Sequence, residues 1–183
     1  MNLYLIFLGL IGLERLGELW LSRRNAQRAF ARGAVEFGQR HFRVMQLLHT
    51  AFLVGAGVES VLTDRPFSAP WALAMGVLVI AAQALRYWAI ASLGDRWNVR
   101  VIVTPGDQAI RRGPYQYFRH PNYVAVVIEG FAIPLLGSAV ITALLFSLAN
   151  AILLVVRIRC EESALEQHTN YQTVFGAKEG PVL

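Results

Sequence analysis

The chain has 183 residues, of which 55% are hydrophobic and 16% charged, and its formal net charge is +5. Soluble domains carry about 25% charged residues, so this composition excludes a disordered chain and favours a membrane protein over a nucleic-acid binder. A single cysteine, Cys160, excludes a disulfide framework and a cysteine-based zinc site. We therefore expect one integral membrane domain over residues 1–183, in contact with the lipid bilayer, with no nucleic-acid partner and no bound metal.

Five apolar stretches qualify as transmembrane helices, because a helix needs about 20 mostly apolar residues to cross the hydrocarbon core. They are Asn2–Leu21, Val44–Leu62, Trp71–Leu93, Asn122–Leu136 and Ser138–Val156. The fourth is short and ends near Pro134 and Gly137, which predicts a tight helical hairpin with the fifth. The expected fold class is all-α, a bundle of five transmembrane helices. Residues 1–93 supply three spans, and residues 94–183 supply a loop, the hairpin and a C-terminal helix.

The positions of the basic residues predict the orientation of the chain. Most of the 17 arginines and lysines follow the first, third or fifth span, whereas the segment after the second span holds only Arg65. We expect the N-terminus outside and the C-terminus in the cytoplasm, in the bacterial inner membrane. The first span is expected to be retained, because no small-residue cleavage site follows it. The next segment, Arg23–Arg43, is expected to form an amphipathic surface helix, with Phe30, Val35 and Phe37 as its apolar contacts.

Several charged residues interrupt the predicted spans, where a charge at the bilayer centre costs about 2.5–3.5 kcal/mol. Glu14, Arg15 and Glu18 in the first span predict an ion network between helices. Glu129 in the fourth span has no basic neighbour in sequence, so it is either a base or substrate contact, or the structural partner of Arg86. Arg86 itself either snorkels towards the membrane interface or contacts the substrate.

Residues 104–123, between the third and fourth predicted spans, have the composition of a binding loop. Glycines and prolines fix turns, three tyrosines supply flat rings with polar tips, and His120 lies just before the fourth helix. These features predict a site for a small, charged and partly aromatic molecule.

A second polar segment follows the fifth span. Arg157 and Glu161 lie four residues apart on one helix face, and Glu162 points about 100° away from Glu161. On spacing alone, a solvated helix end with salt bridges is the favoured interpretation.

Together, the two polar segments resemble the isoprenylcysteine carboxyl methyltransferase family and its relatives, which include phospholipid methyltransferases. The matching residues are Gly113–Pro114–Tyr115–x–Tyr117–x–Arg119–His120–Pro121–x–Tyr123, then a hydrophobic hairpin, then Arg157–x–x–x–Glu161–Glu162–x–x–Leu165 with Tyr171 beyond. The resemblance covers roughly Trp97 to Phe175. It implies a cytoplasmic pocket for S-adenosylmethionine, built from the loop and the C-terminal helix, and a lipophilic small-molecule acceptor that enters from the bilayer.

The resemblance also implies which residues form the site. The expected cofactor contacts are Asp107, Gln108, Ala109, Ile110, Tyr115, His120, Pro121, Asn122, Tyr123 and Glu161. Glu162 joins them because a carboxylate can accept hydrogen bonds from a ribose diol or an ammonium group. Arg157 is implied as the contact to the acceptor, where it could stabilise an anionic nucleophile. Glu129, as base or orienting group, and Arg86 complete the expected acceptor site.

The acceptor is suggested by a finer resemblance. Trp97–Asn98–Val99–Arg100–Val101 and Arg119–His120–Pro121–Asn122–Tyr123, followed by Glu129 and Pro134, resemble small bacterial members that act on long-chain polyketides. This implies O-methylation of an alkylpyrone or alkylresorcinol hydroxyl. Carboxylates of the isoprenylcysteine type and phospholipid amines are the alternative acceptors. The opposing class is a non-enzymatic transporter or assembly subunit, which would leave both motif segments unexplained.

Overall fold

The computed structural model describes residues 2–63 and 68–176, so Arg65 lies outside the described residues. Helices form most of the fold, together with two short strands and two 3₁₀ turns, Gly94–Arg96 and Gly113–Gln116. The helices are α1 (Asn2–Ala31), α2 (Gln39–Leu62), α3 (Ala69–Leu93), α4 (Pro121–Leu136), α5 (Val140–His168) and α6 (Tyr171–Phe175). The strands are β1 (Val35–Phe37) and β2 (Val101–Val103). The predominantly helical class predicted from the sequence is confirmed.

Within the described ranges, three helices are long and apolar enough to cross a membrane. They are α2, α3 with the turn that follows it (Ala69–Arg96), and α5. Helix α4 is also apolar but has only 16 residues, and α1 carries the charges described above. These helices support an integral membrane protein. The count of five spans and the orientation stay predictions.

Helix α1 is longer than the predicted first span, and the prediction of a separate surface helix over Arg23–Arg43 is wrong. Residues 22–31 contain no helix breaker, so α1 continues to Ala31. It ends there because Gly33, two residues further on, has a φ of 81°, in the left-handed region that terminates helices. The chain then forms β1 and enters α2 at Gln39, within the segment expected to be one helix.

The two strands form an antiparallel ladder that the sequence analysis missed. Val35 pairs with Val103, and Phe37 pairs with Val101. Val101 and Val103 are buried against Ala164 of α5. The ladder therefore ties the start of α2 to the segment after α3 and to the C-terminal part of α5. We call this side of the bundle, which also carries residues 104–120, the loop end.

The other end of the bundle contains the predicted hairpin. Helix α4 ends at Leu136, Gly137 and Ser138 form the turn, and α5 begins at Val140. The Glu59 carboxylate of α2 accepts hydrogen bonds from the backbone N–H groups of Ile141 (2.9 Å) and Thr142 (2.7 Å). Because the first N–H groups of a helix lack partners within it, this carboxylate caps α5 from a neighbouring helix.

Close packing of α4 on α5 depends on a glycine. A Cβ atom placed on Gly130 would lie 2.4 Å from Cε1 of Phe146, so no larger residue fits there without movement of the ring. Phe146 also packs against Phe52 of α2, with ring centroids 4.2 Å apart. These contacts belong to the apolar core, which includes Leu8, Ile11, Ala56, Met75, Val79, Ala132, Ile133 and Phe146. Helix α5 then runs without interruption to His168, so the expected C-terminal helix is a continuation of the fifth span.

Candidate active site

A cavity of about 720 Å³ extends from the loop end into the interior of the bundle. At the loop end its wall includes Asp107, His120 and Glu161, which are polar. Deeper in the bundle, Leu53 and Phe146 and their apolar neighbours form most of the wall, which also includes the paired charges of Arg86 and Glu129. One continuous space therefore joins a polar compartment to an apolar one.

The two predicted motif segments meet at this cavity. Every predicted site residue except Pro121 and Glu162 lines it: Arg86, Asp107, Gln108, Ala109, Ile110, Tyr115, His120, Asn122, Tyr123, Glu129, Arg157 and Glu161. Pro121 is buried in the first turn of α4, where its missing N–H is no loss. Glu162 lies behind the wall and contacts His120. The roles assigned to these residues stay predictions.

Direct contacts join the loop segment to α5. His120 Nε2 lies 3.0 Å from Glu162 Oε1, and the Tyr123 hydroxyl donates a hydrogen bond of 2.5 Å to Glu161 Oε2. The His120 and Tyr123 rings stack with centroids 5.4 Å apart. His120 and Glu161 are thus on the same side of the bundle and close enough to contact one small molecule, with His120 Nδ1 4.0 Å from Glu161 Oε2.

The loop is also fastened to the residues beyond α5. Gly106 N–H donates to the His168 carbonyl at 2.9 Å, and Ala109 N–H donates to Asn170 Oδ1 at 2.6 Å. Burial, together with the Glu162 carboxylate, raises the pKa of Tyr171 to about 12. Burial, with Glu161 nearby, also raises the pKa of Tyr115. Both phenols therefore stay protonated at neutral pH and can act as hydrogen-bond donors.

Arg157 lies where the polar and apolar compartments join. It is 4% exposed, and its Nη2 donates to the Val99 carbonyl oxygen at 2.8 Å. Its guanidinium carbon lies 5.9 Å from the centroid of the Tyr123 ring. Among the described residues, Arg157 Nε, Trp97 Nε1 and Tyr171 Oη are buried along this wall without a hydrogen-bond partner. Buried polar atoms are normally paired, so these three give the wall unused hydrogen-bonding capacity.

The predicted ion network forms, and it includes Arg86 and Glu129. Arg86 Nε donates to Glu129 Oε1 at 3.1 Å, and Arg86 Nη2 donates to Glu129 Oε2. Arg15 binds Glu18 at 2.8 Å and Glu129 at 3.3 Å. Arg86 also lies 3.6 Å from Glu18. Both Glu129 oxygens therefore accept hydrogen bonds from arginines. This arrangement matches the alternative in which Glu129 is the partner of Arg86.

The sequence analysis overlooked two polar residues in the deeper wall, His49 of α2 and Asn150 of α5. Asn150 is 2% exposed, and its Oδ1 is among the buried atoms without a partner in the described part of the chain. The signal that singled out Glu129, a polar side chain within an apolar run, applies equally to these two residues. A neutral side chain is less conspicuous there than a charged one.

A cavity that is polar at one end and mainly apolar within, set in a bundle of apolar helices, has the shape of a binding site for a molecule with a polar head and an apolar tail. Residues 73–167 match the model of the Isoprenylcysteine carboxyl methyltransferase (ICMT) family. The chain therefore belongs to this family, whose members are membrane methyltransferases. Membership favours a methyltransferase over a transporter or an assembly subunit.

Two bacterial relatives resemble the chain over most of its length. The Uncharacterized protein YpbQ of Bacillus subtilis (strain 168) is 36% identical over 167 residues, which cover 91% of this chain and 99% of the relative. An Uncharacterized protein of Haemophilus influenzae (strain ATCC 51907 / DSM 11121 / KW20 / Rd) is 30% identical over 152 residues, which cover 82% and 88% of the two chains. No solved structure matches the chain.

Proposed function

We propose that this protein transfers a methyl group from S-adenosylmethionine to an oxygen atom of a lipophilic acceptor dissolved in the bilayer. The observation that carries the proposal is the continuous cavity, which joins the polar compartment at His120 and Glu161 to the apolar interior. A charged nucleoside fits the first compartment and an alkyl chain fits the second. The positive-inside bias supports a loop end that faces the cytoplasm of a bacterial inner membrane.

The polar compartment has the groups that S-adenosylmethionine requires. The Glu161 and Glu162 carboxylates can accept from the ribose hydroxyls or the ammonium group, and the tyrosine rings can pack on adenine. The unpartnered Trp97 Nε1 and Tyr171 Oη offer further hydrogen bonds. We assign cofactor binding to Asp107, Gln108, Ala109, Ile110, Tyr115, His120, Pro121, Asn122, Tyr123, Glu161 and Glu162. When bound, S-adenosylmethionine supplies an electrophilic methyl group on a sulfonium.

Arg157 is the proposed acceptor-binding residue. Its guanidinium is always protonated and lies at the junction of the two compartments, so it stabilises an anionic oxygen on the acceptor. The same charge repels an ammonium group, which disfavours a phospholipid amine. Glu129 and Arg86 form the adjacent wall, where their pairing holds the cavity in shape and orients the acceptor. Arg86, Glu129 and Arg157 are all buried, and low exposure to solvent strengthens electrostatic contacts.

The proposed acceptor is a long-chain phenol or pyrone hydroxyl, and a carboxylate is the second candidate. The alkylpyrone and alkylresorcinol class is supported by the motif resemblance. It is also compatible with a cavity whose inner wall contains Leu53, Ile133 and Phe146. Such an acceptor has an acidic head, which Arg157 can bind, and a tail that extends into the apolar part of the bundle or the surrounding lipid.

Binding of the cofactor is tested with labelled S-adenosylmethionine and the purified protein in mild detergent or lipid. Saturable binding is expected for the wild type. Glu161→Gln is expected to weaken it, whereas Glu166→Gln, an exposed position on the same helix, should bind as the wild type does. Absence of saturable binding to the folded wild type would contradict the proposal. Transfer of the label to a panel of long-chain phenols, carboxylates and amines then identifies the acceptor class.

A further inference from the structure

His49 has one ring nitrogen free to accept a hydrogen bond in the cavity. Its Nδ1 lies 2.9 Å from the Met45 carbonyl oxygen, which can only accept. In the neutral ring Nδ1 therefore carries the hydrogen, and Nε2 keeps its lone pair. No group in the described part of the chain forms a hydrogen bond with Nε2. Residue 49 also lies outside the segment 73–167 that matches the family model.

The packing of α2 on α5 locates His49 along the cavity. The two helices run antiparallel, with Phe52 against Phe146. The His49 ring meets the same Phe146 ring edge-on, with centroids 5.2 Å apart. The contact with Phe146 places His49 in the deeper wall, about three helical turns from Arg157 along α5.

The direction of α2 turns the His49 ring back towards the cofactor compartment. Helix α2 begins at the loop end, and side chains tilt towards the N-terminus of their own helix. The bond to Met45, one turn nearer the loop end, fits this tilt. This tilt directs the imidazole away from the hairpin end of the bundle and towards the loop end of the cavity.

The other basic groups on the cavity wall are already engaged. The lining carboxylates of Glu18, Asp107, Glu129 and Glu161 are each hydrogen-bonded or ion-paired, and His120 contacts Glu162. Burial and the guanidinium groups of Arg15 of α1 and Arg86 of α3 favour the neutral ring of His49, whereas the Glu129 carboxylate of α4, which pairs with both arginines, favours the imidazolium. From α5 His49 meets the neutral ring of Phe146. Among the described lining residues, His49 thus offers an uncommitted proton acceptor.

We propose that His49 Nε2 takes the proton of the acceptor hydroxyl, so that the acceptor is an alcohol or phenol rather than a carboxylate, which has no proton to give. This inference rests on the proposed function. The O–H bond breaks and the proton moves to Nε2, which forms an imidazolium. The oxygen forms a bond to the methyl carbon while the carbon–sulfur bond breaks, and the electron pair of that bond stays on sulfur. The imidazolium returns its proton to water after the product leaves.

Ionisation of a bound phenol tests this role without any turnover. The probe is a long-chain alkyl nitrophenol, whose phenolate absorbs visible light. Without cofactor, the wild type is expected to bind it as the phenolate at a pH where the free probe is protonated. His49→Phe keeps the ring contact with Phe146 and should bind the probe in protonated form. His41→Phe, which does not line the cavity, should behave as the wild type. Phenolate bound equally by His49→Phe would overturn the proposal.

Kinetics supply the second test. With an unsubstituted long-chain phenol, His49→Phe should lower kcat by about 10²–10⁴-fold, the usual contribution of a general base. With the nitrophenol at a pH where it is already ionised, the loss should be about tenfold at most. Equal losses on both acceptors would indicate a structural role and overturn the proposal.

Different results would overturn the role of His49 and the methyltransferase function. A wild type that binds S-adenosylmethionine and methylates only a long-chain carboxylate would overturn the hydroxyl acceptor and the role of His49, while the methyltransferase function stands. A folded wild type that does not bind S-adenosylmethionine would overturn the proposed function itself.

Discussion

Arg86→Met is expected to destabilise the protein much more than Glu129→Gln, although the two residues form one ion pair. The network contains three carboxylates, from Glu14, Glu18 and Glu129, and two guanidinium groups, from Arg15 and Arg86, of which Arg86 and Glu129 are buried. Loss of Arg86 leaves Arg15 as the one guanidinium of the described network for three carboxylates, although Glu14 also accepts hydrogen bonds from Gln83 and Tyr87. Loss of the Glu129 charge leaves two carboxylates with two guanidinium groups, and Arg86 keeps Glu18 at 3.6 Å as a partner.

The expected losses in the free energy of unfolding follow from this count of charges. Breaking a buried pair so that a charge is left uncompensated costs about 3–5 kcal/mol, which we expect for Arg86→Met. Glu129→Gln retains a hydrogen-bond acceptor and a balanced network, so its cost should be about 1–2 kcal/mol. Replacing both residues by apolar ones should recover part of the loss, because a buried pair can often be replaced by apolar side chains at little cost.

The assay is equilibrium unfolding in SDS of the purified protein in mixed micelles, followed by circular dichroism. The free energy of unfolding is compared for the wild type, Arg86→Met, Glu129→Gln and the Arg86→Met/Glu129→Leu double variant. Equal destabilisation by the two single variants would refute the charge argument. So would a double variant that is less stable than Arg86→Met.

Three further outcomes are expected. Gly130→Ala should cost about 1–3 kcal/mol in the same unfolding assay, because its methyl group would lie 2.4 Å from the Phe146 ring; an unchanged free energy would show that the ring moves freely. Glu59→Gln should lower the free energy of unfolding by about 1 kcal/mol, since it weakens the cap on α5, and unchanged unfolding would contradict that role. The pKa of Tyr171 is raised from 10.0 to about 12, so its stabilising effect is present below pH 10 and lost as pH rises to about 12. Tyr171→Phe should remove that part of the alkaline loss of stability in a pH series of thermal unfolding, which a variant with the wild-type profile would contradict.

The sequence predicted the helix positions well where a helix is a long apolar run. Helices α2, α3 and α4 overlap the predicted spans closely, because long apolar runs carry the strongest secondary-structure signal. The ladder of β1 and β2 was missed because each strand has only three residues, too few for a periodic pattern. Its pairing joins residues far apart in the chain and depends on burial against α5.

The part of the candidate site that consists of motif residues was predictable from the sequence. His120, Tyr123 and Glu161 stand in recognisable strings, and the structure brings those strings into contact. The pairing of Arg86 with Glu129 could only be offered as an alternative, since charge and depth do not specify which helix faces which. His49 is a single neutral polar residue in an apolar helix, and its place on the cavity wall follows from how α2 packs on α5.

Because α5 is one unbroken helix, it fixes the relative positions of the side chains that it contributes to the cavity. Asn150, Arg157 and Glu161 project from one continuous helix of 29 residues, so their spacing along the axis is set by the rise of about 1.5 Å per residue. Inserting one residue between Asn150 and Arg157 would rotate one side chain by about 100° around the helix axis relative to the other, so that the two would no longer line the same cavity. Divergence in acceptor preference among relatives is therefore expected through substitutions along α2 and α5, at constant helix length.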